Sequence, residues 1–113
     1  MEIREEGEVT LVLIDPRLDS VTSKEAEAKL MESAGGSSRR ILCDFSNTDY
    51  ISSAGLRVML STVKKLQKNG GKMVLSSMKP FVYSVFEMAG FTQIFEICET
   101  KAQALAHLNR ASR

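Results

Sequence analysis

The chain is short of the residues around which small enzymes and metalloproteins are usually built. Histidine occurs once, as His107, and cysteine twice, as Cys43 and Cys98. No Cys-x-x-Cys or Cys/His cluster exists, so a zinc site is not expected. Cys43 falls in the apolar run Ile41-Leu42-Cys43 and reads as a buried reduced thiol. Charge of one sign is not in excess: 15 Lys and Arg stand against 14 Asp and Glu, a formal charge of +1. Nucleic-acid binding, which normally shows a strong basic surplus, is therefore not expected. No stretch approaches the ~20 apolar residues of a membrane span. The opening Met1-Glu2-Ile3-Arg4-Glu5-Glu6 is acidic and lacks the apolar core of a signal peptide. These absences predict a reduced, cytoplasmic protein without membrane insertion.

What is present suits one globular domain over residues 1–113, with 43% hydrophobic and 26% charged residues. Ile3 to Glu5, a turn at Glu6-Gly7-Glu8 and the apolar run Val9 to Ile14 predict a β-hairpin whose second strand is buried on both faces. Pro16 stops that strand. Thr22-Ser23-Lys24-Glu25 has the form of a capping box, followed by Ala26, Leu30 and Met31 at helical spacing. Gly35-Gly36-Ser37-Ser38 ends this helix. Arg39-Arg40 leads into a central strand, Ile41 to Phe45, and then a polar loop, Ser46 to Asp49. Leu56, Met59, Leu60, Val63 and Leu66 mark one face of the next helix, closed by Asn69-Gly70-Gly71 with Lys68 near its negative end. Lys72 to Ser76 is a strand, and Pro80 opens a helix to about Met88, closed by Gly90. Ile94 to Cys98 reads as a short strand or an extended link. Thr100 and Gln103 form a second capping box before a helix carrying Ala102, Leu105 and Leu108. The order predicts an α/β fold: a mixed sheet of four to five strands opening with a hairpin, packed by about four helices.

Catalytic patterns are incomplete throughout. Ser53 at a strand–helix junction, with Gly55 two residues on, resembles a nucleophile elbow, but Ile51 stands where the first glycine belongs. His107, beside Ala104, Ala106 and Leu108, reads as an ordinary, partly exposed histidine, so acyl transfer is not expected. Gly70-Gly71-Lys72 lacks the first glycine and the Ser or Thr of a phosphate-binding loop, and follows a helix instead of a strand. Asp44 and Asp49 read as turn or cap residues before they read as metal ligands. No catalytic residue, metal or cofactor is predicted. Arg57, Ser61, Lys64 and Lys68 form a polar stripe at helical spacing, a solvated face that would also serve as a partner's rim. Ser52 and Ser53 are good helix caps. Ala54-Gly55 after them makes a small surface that a partner's backbone could approach and leaves a hydroxyl open to modification. Phe81-Val82-Tyr83-Ser84-Val85-Phe86-Glu87-Met88 is apolar on more than one face, which leaves two readings: residues such as Met78, Phe81 or Tyr83 form an exposed apolar patch, or all of them serve a small core.

Four stretches together resemble the anti-sigma-factor antagonists, the STAS domains of bacterial partner-switching systems. They are Arg17-Leu18-Asp19, Ile41-Leu42-Cys43-Asp44-Phe45-Ser46, Ile51-Ser52-Ser53-Ala54-Gly55-Leu56-Arg57, and Ala89-Gly90-Phe91 with Ile94-Phe95. The likeness spans nearly the whole chain. It implies a single STAS domain over residues 1–113 that is not an enzyme. It further implies a partner that is both anti-sigma factor and serine kinase, with the histidine-kinase-like ATPase fold. Unmodified antagonist captures that partner, phosphorylation releases it, and a metal-dependent serine phosphatase resets the cycle. By position, Ser53 is the expected phosphoacceptor and Ser52 the second choice. Asp19, Ser52, Ser53, Ala54, Gly55, Arg57 and Ser61 are the expected partner-binding residues. The alternative implied by the same family is a STAS subunit, not phosphorylated, of a membrane transporter's ATPase complex.

Overall fold

A computed structural model describes residues 1–36 and 39–111 of the chain. Strands β1 (Glu2–Glu6) and β2 (Val9–Leu13) form the expected antiparallel hairpin, Glu2 opposite Leu13 and Glu6 opposite Val9. Gly7 turns it in the left-handed region at φ 64°, where a Cβ is costly. Helix α1 (Ser23–Gly35) leads to the central strand β4 (Arg40–Asp44), and α2 (Ser53–Lys68) to β6 (Lys72–Ser76). Helix α3 (Pro80–Met88), a 3₁₀ turn at Phe91–Gln93, β7 (Glu96–Cys98) and α4 (Lys101–Ala111) complete the chain. The sheet runs β1-β2-β4-β6-β7, parallel except for the first pair. Of the alternatives for Ile94 to Cys98, the strand forms, but only over its last three residues. Two further two-residue strands, β3 (Arg17–Leu18) and β5 (Tyr50–Ile51), pair in parallel outside the main sheet. β3 follows the Pro16 stop, where no strand is predicted, while β5 supplies the strand side of the strand–helix junction before Ser53.

Side-chain alternation along the strands gives the domain two unequal cores. Val12, Ile41, Cys43, Met73 and Leu75 face α1, α2 and α3, where Leu30, Met59, Leu66 and Phe86 meet them. Val9, Leu11, Leu42 and Val74 face the other way and are covered by Ala104 and Leu108 of α4. The period of two along a strand makes this division automatic. Phe86 is the hub of the larger core. Its ring meets those of Phe45, Phe95 and Phe91 edge-on, with centroids 5.7, 5.7 and 6.1 Å away. Such edge-to-face contacts add to the burial of the rings themselves.

The two predicted capping boxes have different fates. At α4 the box forms: Thr100 Oγ1 accepts from the Gln103 N–H, and Gln103 Oε1 accepts from the Glu99 and Thr100 N–H groups. At α1 it does not. Thr22 is the N-cap, but its backbone is already helical and its side chain makes no cap bond. Glu25 instead pairs with Lys29 one turn on at 3.2 Å. Of the Gly35-Gly36-Ser37-Ser38 stop, α1 ends at Gly35 as expected, while Ser37 and Ser38 lie outside the described residues. Among the described residues no helix is long and apolar enough to cross a membrane.

Replacing Phe86 by Ala removes the hub of the aromatic cluster. The expected loss is about 3–5 kcal/mol, a large fraction of the roughly 5–15 kcal/mol of an ordinary domain. Phe86→Leu should lose clearly less, and urea unfolding followed by circular dichroism measures both.

Candidate functional site

The start of α2 is positioned by the small β3–β5 pair. Arg17 stands opposite Tyr50 and Leu18 opposite Ile51, and the Leu18 carbonyl accepts the Ser52 N–H at 3.0 Å. Upstream, the Pro16 carbonyl accepts from the Asp49 and Tyr50 N–H groups at 2.8 and 3.3 Å. Thr48, fully buried, donates its hydroxyl to the Asp15 carbonyl at 2.9 Å. Two loops are thereby fastened side by side, and α2 begins directly from one of them.

Ser52 is the N-cap. Its backbone is extended, and its Oγ accepts from the Gly55 N–H at 3.5 Å. Ser53 is the first helical residue; it is exposed, and its hydroxyl has no hydrogen-bond partner among the described residues. Ala54 is half-buried and Gly55 buried. A Cβ at position 55 would lie 2.5 Å from the Leu18 carbonyl oxygen and 2.8 Å from Ile51 Cγ1. The glycine therefore lets α2 approach its own strand β3. The expectation that Gly55 opens room for a partner's backbone is corrected on this point, because its missing side chain points inward. Arg57 is exposed and Ser61 half-buried further along the helix.

Asp19 sits next to this junction, one residue beyond the β3–β5 pairing. Its Oδ1 accepts from the N–H groups of Val21 and Thr22 at 2.9 and 3.1 Å, and its Oδ2 accepts from Arg17 Nε at 3.1 Å. It thus takes the Thr22 N–H, the donor that a capping box would leave to Glu25, and ties down the turn before α1. The Thr22 hydroxyl is turned back to donate to the Arg17 carbonyl at 2.9 Å. The Thr22 amide, followed by that of Val21 and by Arg17, holds the Asp19 carboxyl below its ordinary value of 3.8 against a smaller opposing effect of desolvation.

Arg17, freed from regular strand pairing on its outer side, lays its guanidinium 4.5 Å from the centre of the Tyr50 ring. Phe81 of α3 stacks on Tyr50 with centroids 6.2 Å apart and planes 16° from parallel. An ion pair between Lys79 and Asp49 ties the start of α3 to the same loop. Phe81 and Tyr83 are 54% and 40% exposed, as the first of the two readings has it, while Met78 is half-buried against the core. Arg17 falls in the stretch Arg17-Leu18-Asp19 that carries the resemblance, but neither it nor Tyr50 is among the expected site residues; the pairing of two-residue strands brings them together.

The other chemistry-bearing residues lie elsewhere. His107, on α4, is on the opposite face of the sheet from α2, with Nε2 3.5 Å from Glu96 Oε1. The single histidine is thus separated from Ser53 by the sheet, and the nucleophile-elbow reading has no base. Asp44 accepts from the Ser46 N–H at 2.8 Å, a turn contact. Burial, with the neighbouring Asp44 charge, pushes the Cys43 thiol up to about 12, so it stays protonated.

The model of the STAS domain matches residues 1–104. BtrV of Bordetella bronchiseptica, named as a candidate anti-sigma factor antagonist, is 38% identical over 94 residues, 83% of this chain and 81% of that one. The anti-sigma F factor antagonist of Paenibacillus polymyxa is 26% identical over 113 residues, 99% of this chain and 97% of that one. Among solved structures, the anti-sigma factor antagonist SpoIIAA in its unphosphorylated form has a TM-score of 0.82 at 19% identity, covering 96% of this chain and 95% of that one. SpoIIAA from Bacillus in its phosphorylated form gives 0.73 at 18% identity, covering 94% and 96%. At such identities the structural likeness speaks for the fold.

Two outcomes follow from the geometry. Gly55→Ala gains about 1 kcal/mol of helix propensity but forces a methyl group against a backbone carbonyl, an overpacking cost of about 1–3 kcal/mol or more. The variant should unfold at lower urea concentration than the parent. For Asp19 the depressed carboxyl means that the charged form is favoured in the folded state. Its contribution is complete above 3.8 and is lost as pH falls through the folded value. The stability difference between the parent and Asp19→Asn should therefore hold at neutral pH and shrink only below pH 3.8, as read from urea midpoints across a pH series.

Proposed function

This chain belongs to the STAS-domain family, and from that membership we propose that it is an anti-sigma factor antagonist switched by phosphorylation of Ser53. The observation that carries the reading is the state of two adjacent hydroxyls. Ser52 is engaged as the cap of α2, whereas Ser53 is exposed at the first helical position with no partner for its hydroxyl. A kinase can reach Ser53 without dismantling the cap, which favours it over Ser52 as acceptor.

In its unmodified form the chain captures an anti-sigma factor that is also a serine kinase of the histidine-kinase-like ATPase fold. The surface it offers is the start of α2 with Ser52, Ser53 and Ala54, flanked by Asp19 on one side and by Arg57 and Ser61 along the helix. Capture frees the sigma factor in the cytoplasm. The kinase then transfers the γ-phosphoryl group of ATP to the Ser53 oxygen: the new O–P bond forms as the bond to ADP breaks, and the hydroxyl proton passes to the kinase. A metal-dependent serine phosphatase hydrolyses the ester and resets the chain. The STAS domain supplies no catalytic group at any step.

The energetics suit a switch that leaves the fold intact. A phosphoserine carries roughly −1.5 to −2 charge at neutral pH. At the first position of a helix that charge faces the positive end of the dipole. Gly55 and Leu18 lie beneath the junction and are not displaced by a group on the outward hydroxyl. Within a docked interface the same group must be desolvated, and a penalty of about 3–4 kcal/mol weakens binding by about two to three orders of magnitude.

Incubation with ATP and the histidine-kinase-like ATPase encoded nearest to this chain's gene should place phosphate on Ser53, located by mass spectrometry. Ser53→Ala should stay bound to the kinase in the presence of ATP. Ser53→Asp should bind about 100-fold more weakly or worse by surface plasmon resonance. Phosphate absent from both serines, or a Ser53→Ala variant released as readily as the parent, would count against the switch.

A further inference from the structure

The exposed side of α2 carries one sign of charge only. Its charged residues are Arg57, Lys64, Lys65 and Lys68, all exposed, and the helix has no acidic residue. None of their four side chains takes part in an ion pair or hydrogen bond among the described residues. At about 100° per residue, Ser53, Arg57, Ser61, Lys64 and Lys68 fall within an arc of about 80°, in a line about 22 Å long. None of the acidic residues lies on α2 itself: Glu2, Glu5, Glu6 and Glu8 are on the first hairpin, Glu25, Glu27 and Glu32 are exposed on α1, which packs against α2, and Asp19 stands beside its first turn. A near-neutral chain thus keeps an unpaired basic line that begins at the residue proposed as phosphoacceptor.

We propose that this stripe, from Arg57 through Lys64 to Lys68, is the electrostatic docking surface for an acidic segment on the kinase. The inference rests on the functional reading above and adds the chemistry of the partner's contact. A nucleic acid is disfavoured as occupant because the chain as a whole carries only +1. An anionic membrane is disfavoured because the apolar side of α2, with Leu56, Met59, Val63 and Leu66, is already buried in the core, leaving nothing to insert. Three unpaired cations along one line, with Lys65 about 40° to its side, are suited to steer an acidic protein surface into register. Phosphorylation at Ser53 then acts on the stripe itself. The new dianion stands four residues before Arg57, the favourable acid-first spacing on a helix, so it repels the acidic segment and occupies the first cation of the line.

The test is surface plasmon resonance with the neighbouring histidine-kinase-like ATPase as probe, at about 50 and about 300 mM salt. The double variant Lys64→Glu, Lys68→Glu is compared with the parent and with Arg4→Glu, Lys101→Glu, which changes net charge equally on another surface. The stripe variant should associate at least about tenfold more slowly at low salt, with most of the salt dependence gone, while the control behaves like the parent. Equal association by parent and stripe variant would overturn the docking surface and leave the functional reading standing. A probe that binds neither the parent nor any variant would overturn the functional reading and the inference with it. Binding of the parent to a DNA duplex or to phosphatidylglycerol vesicles, lost in the stripe variant, would assign the stripe to another occupant and overturn the inference.

Discussion

The carbonyl of Leu18 is the point on which the candidate site depends. It accepts the Ser52 N–H, and it occupies the place a side chain at residue 55 would take. One backbone oxygen therefore sets where α2 starts and how closely it lies to the strand beside it. Everything outward of that contact inherits its position: the capping hydroxyl of Ser52, the uncommitted hydroxyl of Ser53 and the line of side chains along the helix. Because the contact is between backbones, no rotamer change can relax it, and only glycine meets the requirement.

The two sides of the sheet are given different tasks. The larger core, centred on Phe86, fixes α1, α2 and α3 and hence the functional edge. The smaller core holds α4 alone, which reaches Glu6 through Lys101 and Glu96 through His107 at 3.6 and 3.5 Å. A group attached to Ser53 alters the first side at its surface only. That surface and α4 lie on opposite faces of the sheet, which fits a switch that works by excluding a partner and not by reshaping the domain.

Much of this was legible in the sequence because long amphipathic periods and glycine or proline punctuation are local signals. Leu56, Met59, Val63 and Leu66 declare α2 without any tertiary knowledge, and Gly90 and Pro80 bracket α3 correctly. The β3–β5 pair was not legible, since two residues are too few to show a period of two. The Thr22-to-Glu25 pattern misled for a different reason. Asp19 takes the Thr22 N–H that Glu25 would hold, and the Arg17 carbonyl and the Asp19 N–H engage the Thr22 hydroxyl, so neither half of the box forms. The inward direction of Gly55 is equally a tertiary fact, because a small residue at a helix start reads alike whether it faces a partner or its own chain. Tyr50 gives no signal in the sequence, since its neighbours, Arg17 and Phe81, come from distant parts of the chain.

The scarcity of aromatic residues has an optical consequence. The chain has no tryptophan and two tyrosines. Tyr50 lies between Arg17 and Phe81 just before the capping serine, and Tyr83 is exposed on the helix that supplies Phe81. The tyrosine emission of the native chain therefore comes from two rings, and one of them, Tyr50, stands beside the start of α2. Whatever settles over that end reports itself through the protein's own fluorescence, without a label and without altering a single residue.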